Sequence, residues 1–275
     1  MIDKKIGIIG CGNMGEAIFS RLAGVLEKST SLMVSEYDAK RRDFLQDKYK
    51  IIVETDNNRL VKWADVIILA VKPKDIENVL KEAVCCGASS DKLIMSIAAG
   101  ITTKFIESIV GEDVPVIRVM PNMPAVIGEA VSAISRGSAA DSSDIKLAEE
   151  IFSLIGDVVR VDEKFIDAVT AVSGSGPAYF FYLAESLMAA AKDLGLDEDT
   201  AKRLVMKTAL GSAKMLYVLK EDPSLLRARV TSKGGTTEAA IKVFESKNVK
   251  KIVKDAAKRA ARRSKELSSL GKNSG

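Results

Sequence analysis

The segment Ile6-Gly-Ile-Ile-Gly-Cys-Gly-Asn-Met-Gly15 constrains this chain more than any other. A short apolar run passes directly into Gly10-Cys11-Gly12-Asn13-Met14-Gly15, a G-x-G-x-x-G pattern, and a helical pattern follows from Gly15 to Leu26. Glycine-rich turns are common. A preceding strand, a following helix and an acidic residue about twenty positions further on form the context in which this one binds a dinucleotide. Here Glu36 follows the strand pattern Leu32–Ser35. In such a unit Gly10 permits the tight turn and Gly12 lets the backbone approach a pyrophosphate. Gly15 lets helix and strand pack closely, and the helix N-terminus faces the phosphates. The Glu36 carboxylate is placed to accept hydrogen bonds from the adenosine ribose hydroxyls and to repel a 2′-phosphate, which favours NADH. Against that, Lys40, Arg41 and Arg42 open the next helix, where they either reach a phosphate or form a solvated basic face. These residues leave both NADPH and NADH open.

Further along, Asp65–Val71, Leu93–Ile97 and Val114–Val119 are apolar strand patterns, and Val131–Ile134 and Val158–Val161 extend the series. Near-continuous apolar strands alternating with helical segments predict a doubly wound, Rossmann-like α/β sheet. From Phe165 to Leu270 no strand pattern survives. Helices are expected over Pro177–Leu194 and Glu198–Leu219, from Pro223, and twice after Gly235. The expected organisation is a dinucleotide-binding domain over residues 1–162 and an all-helical domain over 163–275. Two loops leave the C-terminal ends of strands, the edge where open α/β sheets bind ligands. They are Ala70-Val71-Lys72-Pro73 and Met120-Pro121-Asn122, the latter continuing through Met123 to Pro124. Lys72 suits a cofactor ribose or phosphate, and the Asn122 amide suits a nicotinamide or a polar group of the substrate; either loop taken alone also serves as a plain connector.

The helical half carries two turns richer in glycine and hydroxyls than capping requires. Ser173-Gly-Ser-Gly-Pro-Ala-Tyr179 opens one helix, and Val230-Thr-Ser-Lys-Gly-Gly-Thr-Thr-Glu-Ala-Ala240 opens another. In the second, Ser232, Gly234, Gly235, Thr236 and Thr237 offer backbone N–H groups and hydroxyls of the kind that converge on a carboxylate. The chain has no histidine, which removes imidazole acid–base catalysis and histidine-ligated metal. Hydride transfer from a bound cofactor suits such a chain, because the cofactor carries the difficult step. Cys11, Cys85 and Cys86 lack metal-ligand spacing and cannot form a disulfide framework. With no apolar stretch of transmembrane length and no room for a signal peptide before the first strand, the expectation is a cytoplasmic protein without a membrane partner. A net charge of +4 is small for 275 residues. The basic run from Lys247 to Arg263 has no interleaved aromatic residues for base stacking, so no nucleic-acid partner is expected.

Taken together, these motifs resemble the pyrroline-5-carboxylate reductases over essentially the whole chain. The resemblance rests on Ile6–Gly15, Ala70–Pro73, Ser96–Gly100, Arg118–Asn122, Val172–Tyr179, Gly211–Met215 and, most specifically, Val230–Ala240. It implies reduction of the cyclic imine 1-pyrroline-5-carboxylate to L-proline by NADPH or NADH, without a metal. It also implies that the Ser232–Thr237 loop binds the substrate carboxylate and that Thr237, the candidate catalytic residue, lies near the imine nitrogen. Homodimers through interleaved C-terminal helices, and often decamers built from them, are implied as well. An oxidoreductase of the same architecture acting on a hydroxy acid or amino acid is the nearest alternative. It is disfavoured because such reactions usually place a lysine or histidine beside the alcohol carbon. Three positions depart from the family pattern: Lys233 and Met123 stand where proline and threonine are common, and Glu36 where many NADPH-using members carry a small hydroxyl residue.

Overall fold

The computed structural model describes residues 2–26 and 31–270. Met1 and residues 271–275, at the ends of the two expected domains, lie outside that range. Eight strands form one sheet in the order β3-β2-β1-β4-β5-β6-β7-β8. They are β1 (Ile6–Ile9), β2 (Leu32–Ser35), β3 (Val53–Glu54), β4 (Val66–Leu69), β5 (Leu93–Ser96), β6 (Val116–Met120), β7 (Ala130–Arg136) and β8 (Gly156–Arg160). The first six run parallel. β7 pairs antiparallel with β6, and β8 runs parallel to β7, so the last two strands reverse the direction of the sheet. The hairpin-like return from β6 to β7 needs only the short turn Met123–Ile127, whereas each earlier parallel pairing needs a crossover.

Helices α1 (Asn13–Val25), α2 (Ala39–Tyr49), α3 (Asn57–Trp63), α4 (Ile76–Cys85), α5 (Thr103–Val110) and α6 (Ser142–Ser153) fill the crossovers and flank the sheet. Asp38 caps α2, its carboxylate accepting from Arg41 N–H. Asp141 and Asp144 form a reciprocal capping box at the start of α6. The central strands are covered on both faces, and their residues alternate between two cores. Ile6, Ile8, Val66, Ile68, Leu93 and Met95 face one core with Ile18, Leu22 and Phe152. Ile9, Ile67, Leu69 and Ile94 face the other with Leu60, Leu80 and Ile106. Each fully buried aliphatic side chain contributes about 1.5–3 kcal/mol, so these strands form the most strongly held part of the chain. The strand order turns back between β1 and β4, which opens a crevice at their C-terminal ends.

After β8 the chain is helical: α7 (Ile166–Val169), a π-helical turn Thr170–Gly174, α8 (Gly176–Asp193), α9 (Glu198–Leu219), α10 (Pro223–Arg229), α11 (Thr236–Ser246) and α12 (Val249–Leu270). Packing divides the chain into two compact units. The first takes the residues up to Ser175 together with those from Arg259 onward, and the second is Gly176–Lys258. Polar ties explain why the segment beyond the last strand belongs to the sheet unit. Glu163 accepts from both the N–H and the hydroxyl of Thr103 at 2.8 Å, and from the Arg118 guanidinium at 3.1 Å. Ser264, on α12, donates to Asp167 at 2.7 Å.

The Arg118 side chain, on β6, is only 4% exposed, and Glu163 is the carboxylate that neutralises it. Removing one partner of a buried ion pair leaves an uncompensated charge. Glu163→Ala is therefore expected to destabilise the protein by about 3 kcal/mol, read as a lower urea midpoint. A change within about 0.5 kcal/mol, the ordinary range of surface substitutions, would remove this pair from the structural account.

Candidate active site

The turn after β1 lies at the crevice where the strand order reverses, and its geometry follows from its glycines. Gly10 has φ +84°, a left-handed conformation, and a Cβ there would meet Val71 Cγ1 at 2.6 Å. A Cβ on Gly15 would lie 2.4 Å from the Gly10 carbonyl oxygen, so α1 approaches the turn as closely as backbone allows. Around Gly12, by contrast, a Cβ would meet nothing within 4 Å. Gly12 is the N-cap of α1 and supplies no side-chain hydrogen bond to the first turn. The result is a helix start that is open in front, with backbone donors left to an incoming group. A pyrophosphate fits this arrangement by charge and by space.

Two side chains hold Cys11, at the centre of the turn, by its backbone. Glu36 Oε2 accepts from Cys11 N–H at 2.8 Å, and Arg41 Nε donates to the Cys11 carbonyl at 2.7 Å. The other Glu36 oxygen accepts from Asp38 N–H at 3.1 Å. Arg41 also pairs with Glu16 on the first turn of α1, and Glu16 accepts in addition from Lys48 at 2.7 Å and from the Tyr49 hydroxyl at 2.8 Å. Burial works against ionisation of Glu16, but the hydrogen bonds from Lys48, Tyr49 and Arg41 outweigh it and lower its carboxyl to about 2. The sign follows from linkage: the stabilisation is complete above the ordinary carboxylate range and is lost as pH falls from there through about 2. Burial pushes the Cys11 thiol up to about 12, so it is a packing group here and not a nucleophile. Arg42 donates to the carbonyls of Glu36 at 3.0 Å and Tyr37 at 2.6 Å. Lys40 is exposed at the start of α2.

The two loops expected at the sheet edge follow β4 and β6. Ala70 N–H donates to Ile9 O at 2.8 Å, which sets Ala70 and Val71 against the glycine turn. Lys72 is exposed, and Pro73 is the first residue of a short 3-10 turn. In the second loop Pro121 is buried, and both ends of the Asn122 amide are engaged inside the protein. Its Nδ2 donates to the Ser173 hydroxyl at 3.2 Å, and its Oδ1 accepts from Val131 N–H at 3.0 Å. Met120 packs on Gly174, where a Cβ would lie 2.8 Å from its terminal methyl. The loop is thereby fastened to the π-helical turn, an irregularity often found at functional sites.

In the helical unit, the turn ahead of α11 has Gly234 at φ +75° and Gly235 as an N-cap without a side-chain cap. Gly235 N–H donates to Ser232 O at 3.1 Å. A Cβ on Gly235 would lie 2.5 Å from Ser232 Oγ, so glycine is what brings that hydroxyl over the turn. The hydroxyls of Ser232, Thr236 and Thr237 have no hydrogen-bond partner among the described residues. The Gly234 N–H already binds a carboxylate, that of Glu238 at 2.7 Å. Lys233 is exposed beside it.

Glu36, Met120 and Asn122 are singled out in the sequence as ligand contacts, not as the braces the structure shows them to be. Arg41 appears there only as a possible phosphate ligand, and Ser173, Glu163 and Glu238 have no individual role. Only the spacing of Glu238, at the third position of α11 beyond an uncapped glycine, carries a local signal, because that is where a capping carboxylate reaches back. Among the described residues no group of carboxylates and cysteines has metal-binding geometry, and no helix is long and apolar enough to cross a membrane.

Comparison with known proteins covers nearly the whole chain. Residues 163–267 match the family model described as pyrroline-5-carboxylate reductase dimerisation. Residues 5–100 match that described as NADP oxidoreductase, coenzyme F420-dependent. A pyrroline-5-carboxylate reductase of Corynebacterium melassecola is 39% identical over 95% of this chain and 98% of its own length. A solved pyrroline-5-carboxylate reductase from Coxiella burnetii superposes with a TM-score of 0.88 at 36% identity, covering 97% of this chain and 99% of that one. The Plasmodium falciparum enzyme, solved with NADP bound, gives 0.87 at 30% identity over 98% and 99%.

The packing of Gly15 generates a test of the turn. Gly15→Ala is expected to weaken dinucleotide binding by about tenfold or more, since its methyl must displace backbone. Titration calorimetry measures this, and unchanged affinity would show that the approach of α1 to the turn does not shape the site.

Proposed function

The chain belongs to the pyrroline-5-carboxylate reductase family, and from that membership we propose that it reduces 1-pyrroline-5-carboxylate to L-proline, the last step of proline synthesis. The observation that carries this reading is the match over nearly the full length of both chains at 39% identity. The glycine turn falls within the family-model match over residues 5–100, and the Ser232–Thr237 loop within that over residues 163–267. The residues fit a nicotinamide dinucleotide, NADPH or NADH: the open start of α1 suits its pyrophosphate, and Glu36 stands at the end of β2 where a ribose is read. When bound, that cofactor supplies the hydride that adds to the imine carbon.

The protein's own part is binding, orientation and the handling of one proton. Gly10, Cys11, Gly12, Asn13, Met14 and Gly15 form the phosphate cradle. Ala70, Val71, Lys72 and Pro73 border it, while Met120, Pro121 and Asn122 make a rigid loop braced through Ser173. The hydroxyls of Ser232, Thr236 and Thr237 take the substrate carboxylate, while Gly234 and Gly235, whose own N–H groups are held by Glu238 and Ser232, shape the turn around it. Thr237 lies in the first turn of α11 and serves the imine nitrogen through its hydroxyl. Reduction of the C=N bond turns that nitrogen into a basic secondary amine, which takes its proton from a hydroxyl or from water. No imidazole is needed, in keeping with a chain that has none. Placement of donor and acceptor then dominates the rate.

The protein self-associates through its helical part, as the matched dimerisation family describes. The exposed apolar residues of α8 and α9, among them Phe180 at 71%, Phe181 at 68% and Met206 at 56%, support that. Assembly of such dimers into a decamer is the finer proposal, which sedimentation velocity tests. Cytoplasmic location is proposed on the same footing, from the nature of the substrate and cofactor.

Cofactor absorbance followed with purified protein tests the reaction: oxidation that depends on the pyrroline is expected, and none with either cofactor would refute it. Thr237→Ala is expected to lower kcat/KM by about tenfold or more, the value of one lost hydrogen bond to the reacting centre. Cofactor affinity should be unchanged. Unaltered kinetics would take Thr237 out of the site.

A further inference from the structure

We propose that this protein discriminates between the two nicotinamide dinucleotides at Glu36 and binds NADH in preference to NADPH. The inference rests on the oxidoreductase reading above and concerns only the ribose end of its cofactor site.

Glu36 is the residue directly after β2, 7% exposed, beside the open N-terminus of α1. Its carboxylate is held on two sides by Cys11 N–H at 2.8 Å and Asp38 N–H at 3.1 Å. An ionised carboxylate offers about four acceptor positions, so two remain for further donors. Neighbouring ribose hydroxyls are donors and match them. A 2′-phosphate brings about −1.5 to −2 charges and acceptor oxygens alone, and it meets a negative group that backbone N–H bonds fix in place.

Two of the cations that would otherwise compensate are partly committed within the protein. Arg41 holds the Cys11 carbonyl through Nε at 2.7 Å and pairs with Glu16 through Nη2, so its charge is already matched. Arg42 points back at the carbonyls of Glu36 and Tyr37. Both bonds use Nη1, so a phosphate would have to meet the remaining N–H groups of Arg42 while sitting beside the Glu36 carboxylate. Tyr37, 78% exposed at this edge, has no charge to offer. Lys40 is an exposed point charge on a flexible stem, a weaker phosphate ligand than a free arginine fork.

Calorimetric titration of the full-length protein with each reduced cofactor, in the absence of substrate, tests the inference. The Kd for NADH is expected to lie below that for NADPH by about tenfold or more. Glu36→Gln keeps an acceptor for Cys11 N–H and removes the charge. In that variant NADPH binding should tighten and the preference should shrink by about tenfold. Equal or tighter binding of NADPH by the unaltered protein overturns the inference while leaving the reductase reading intact. Binding of neither dinucleotide overturns both. A folded Glu36→Gln protein, checked by circular dichroism, that keeps the full preference would also overturn the assignment to Glu36. Should that variant not fold, the ratio measured on the unaltered protein decides alone.

Discussion

The pair of hydrogen bonds that fixes Cys11 is what the nucleotide end of this structure depends on. Glu36 takes its N–H and Arg41 its carbonyl. A glycine-rich turn has high conformational entropy. Here it is held from outside, by residues delivered from the end of β2 and the first turn of α2. The same two residues connect to the rest of the nucleotide end. Arg41 runs on to Glu16 and so fastens α1 to α2, while Glu36 extends to Asp38, the cap of α2. The turn is therefore pre-organised, and α1 can present bare backbone donors to an anion at little further entropic cost.

A second set of braces does similar work three strands further along the same sheet edge. Asn122, Met120, Ser173 and Gly174 lock the loop after β6 to the π-helical turn. Glu163 fixes the chain that leads into it against Thr103 and Arg118. In both places a glycine- or proline-bearing segment that faces a ligand edge is stabilised by polar side chains from elements distant in sequence. The strongly buried strands β1, β4 and β5 provide the frame, and hydrogen bonds set the positions of the loops upon it.

This division explains what was legible in the sequence. Strands such as Leu32–Ser35 and the helix Glu198–Leu219 stand where the apolar patterns place them, because those patterns reflect burial along a single element. The reversal of β7 and β8 is not in any local pattern. Val131–Ile134 is apolar whichever way the strand runs, and only the short turn after Asn122 hints at a return. The grouping of residues 163–175 with the sheet unit likewise rests on contacts of Glu163 and Asp167 with partners 60 and 97 positions away. Glycine positions in the turns were legible, since a Cβ at Gly10 or Gly15 has no room. The engagement of Arg41, Arg42 and Asn122 within the protein was not, since a long polar side chain carries no mark of its partner.

At the centre of this account stands hydride delivery to a cyclic imine by a protein that supplies placement and a hydroxyl. Mass spectrometry of the product formed from the pyrroline with a reduced cofactor deuterated at both nicotinamide C4 positions tests it most directly. The account predicts proline carrying a single deuterium on the ring carbon that was doubly bonded to nitrogen. Unlabelled proline, or no proline at all, would contradict it.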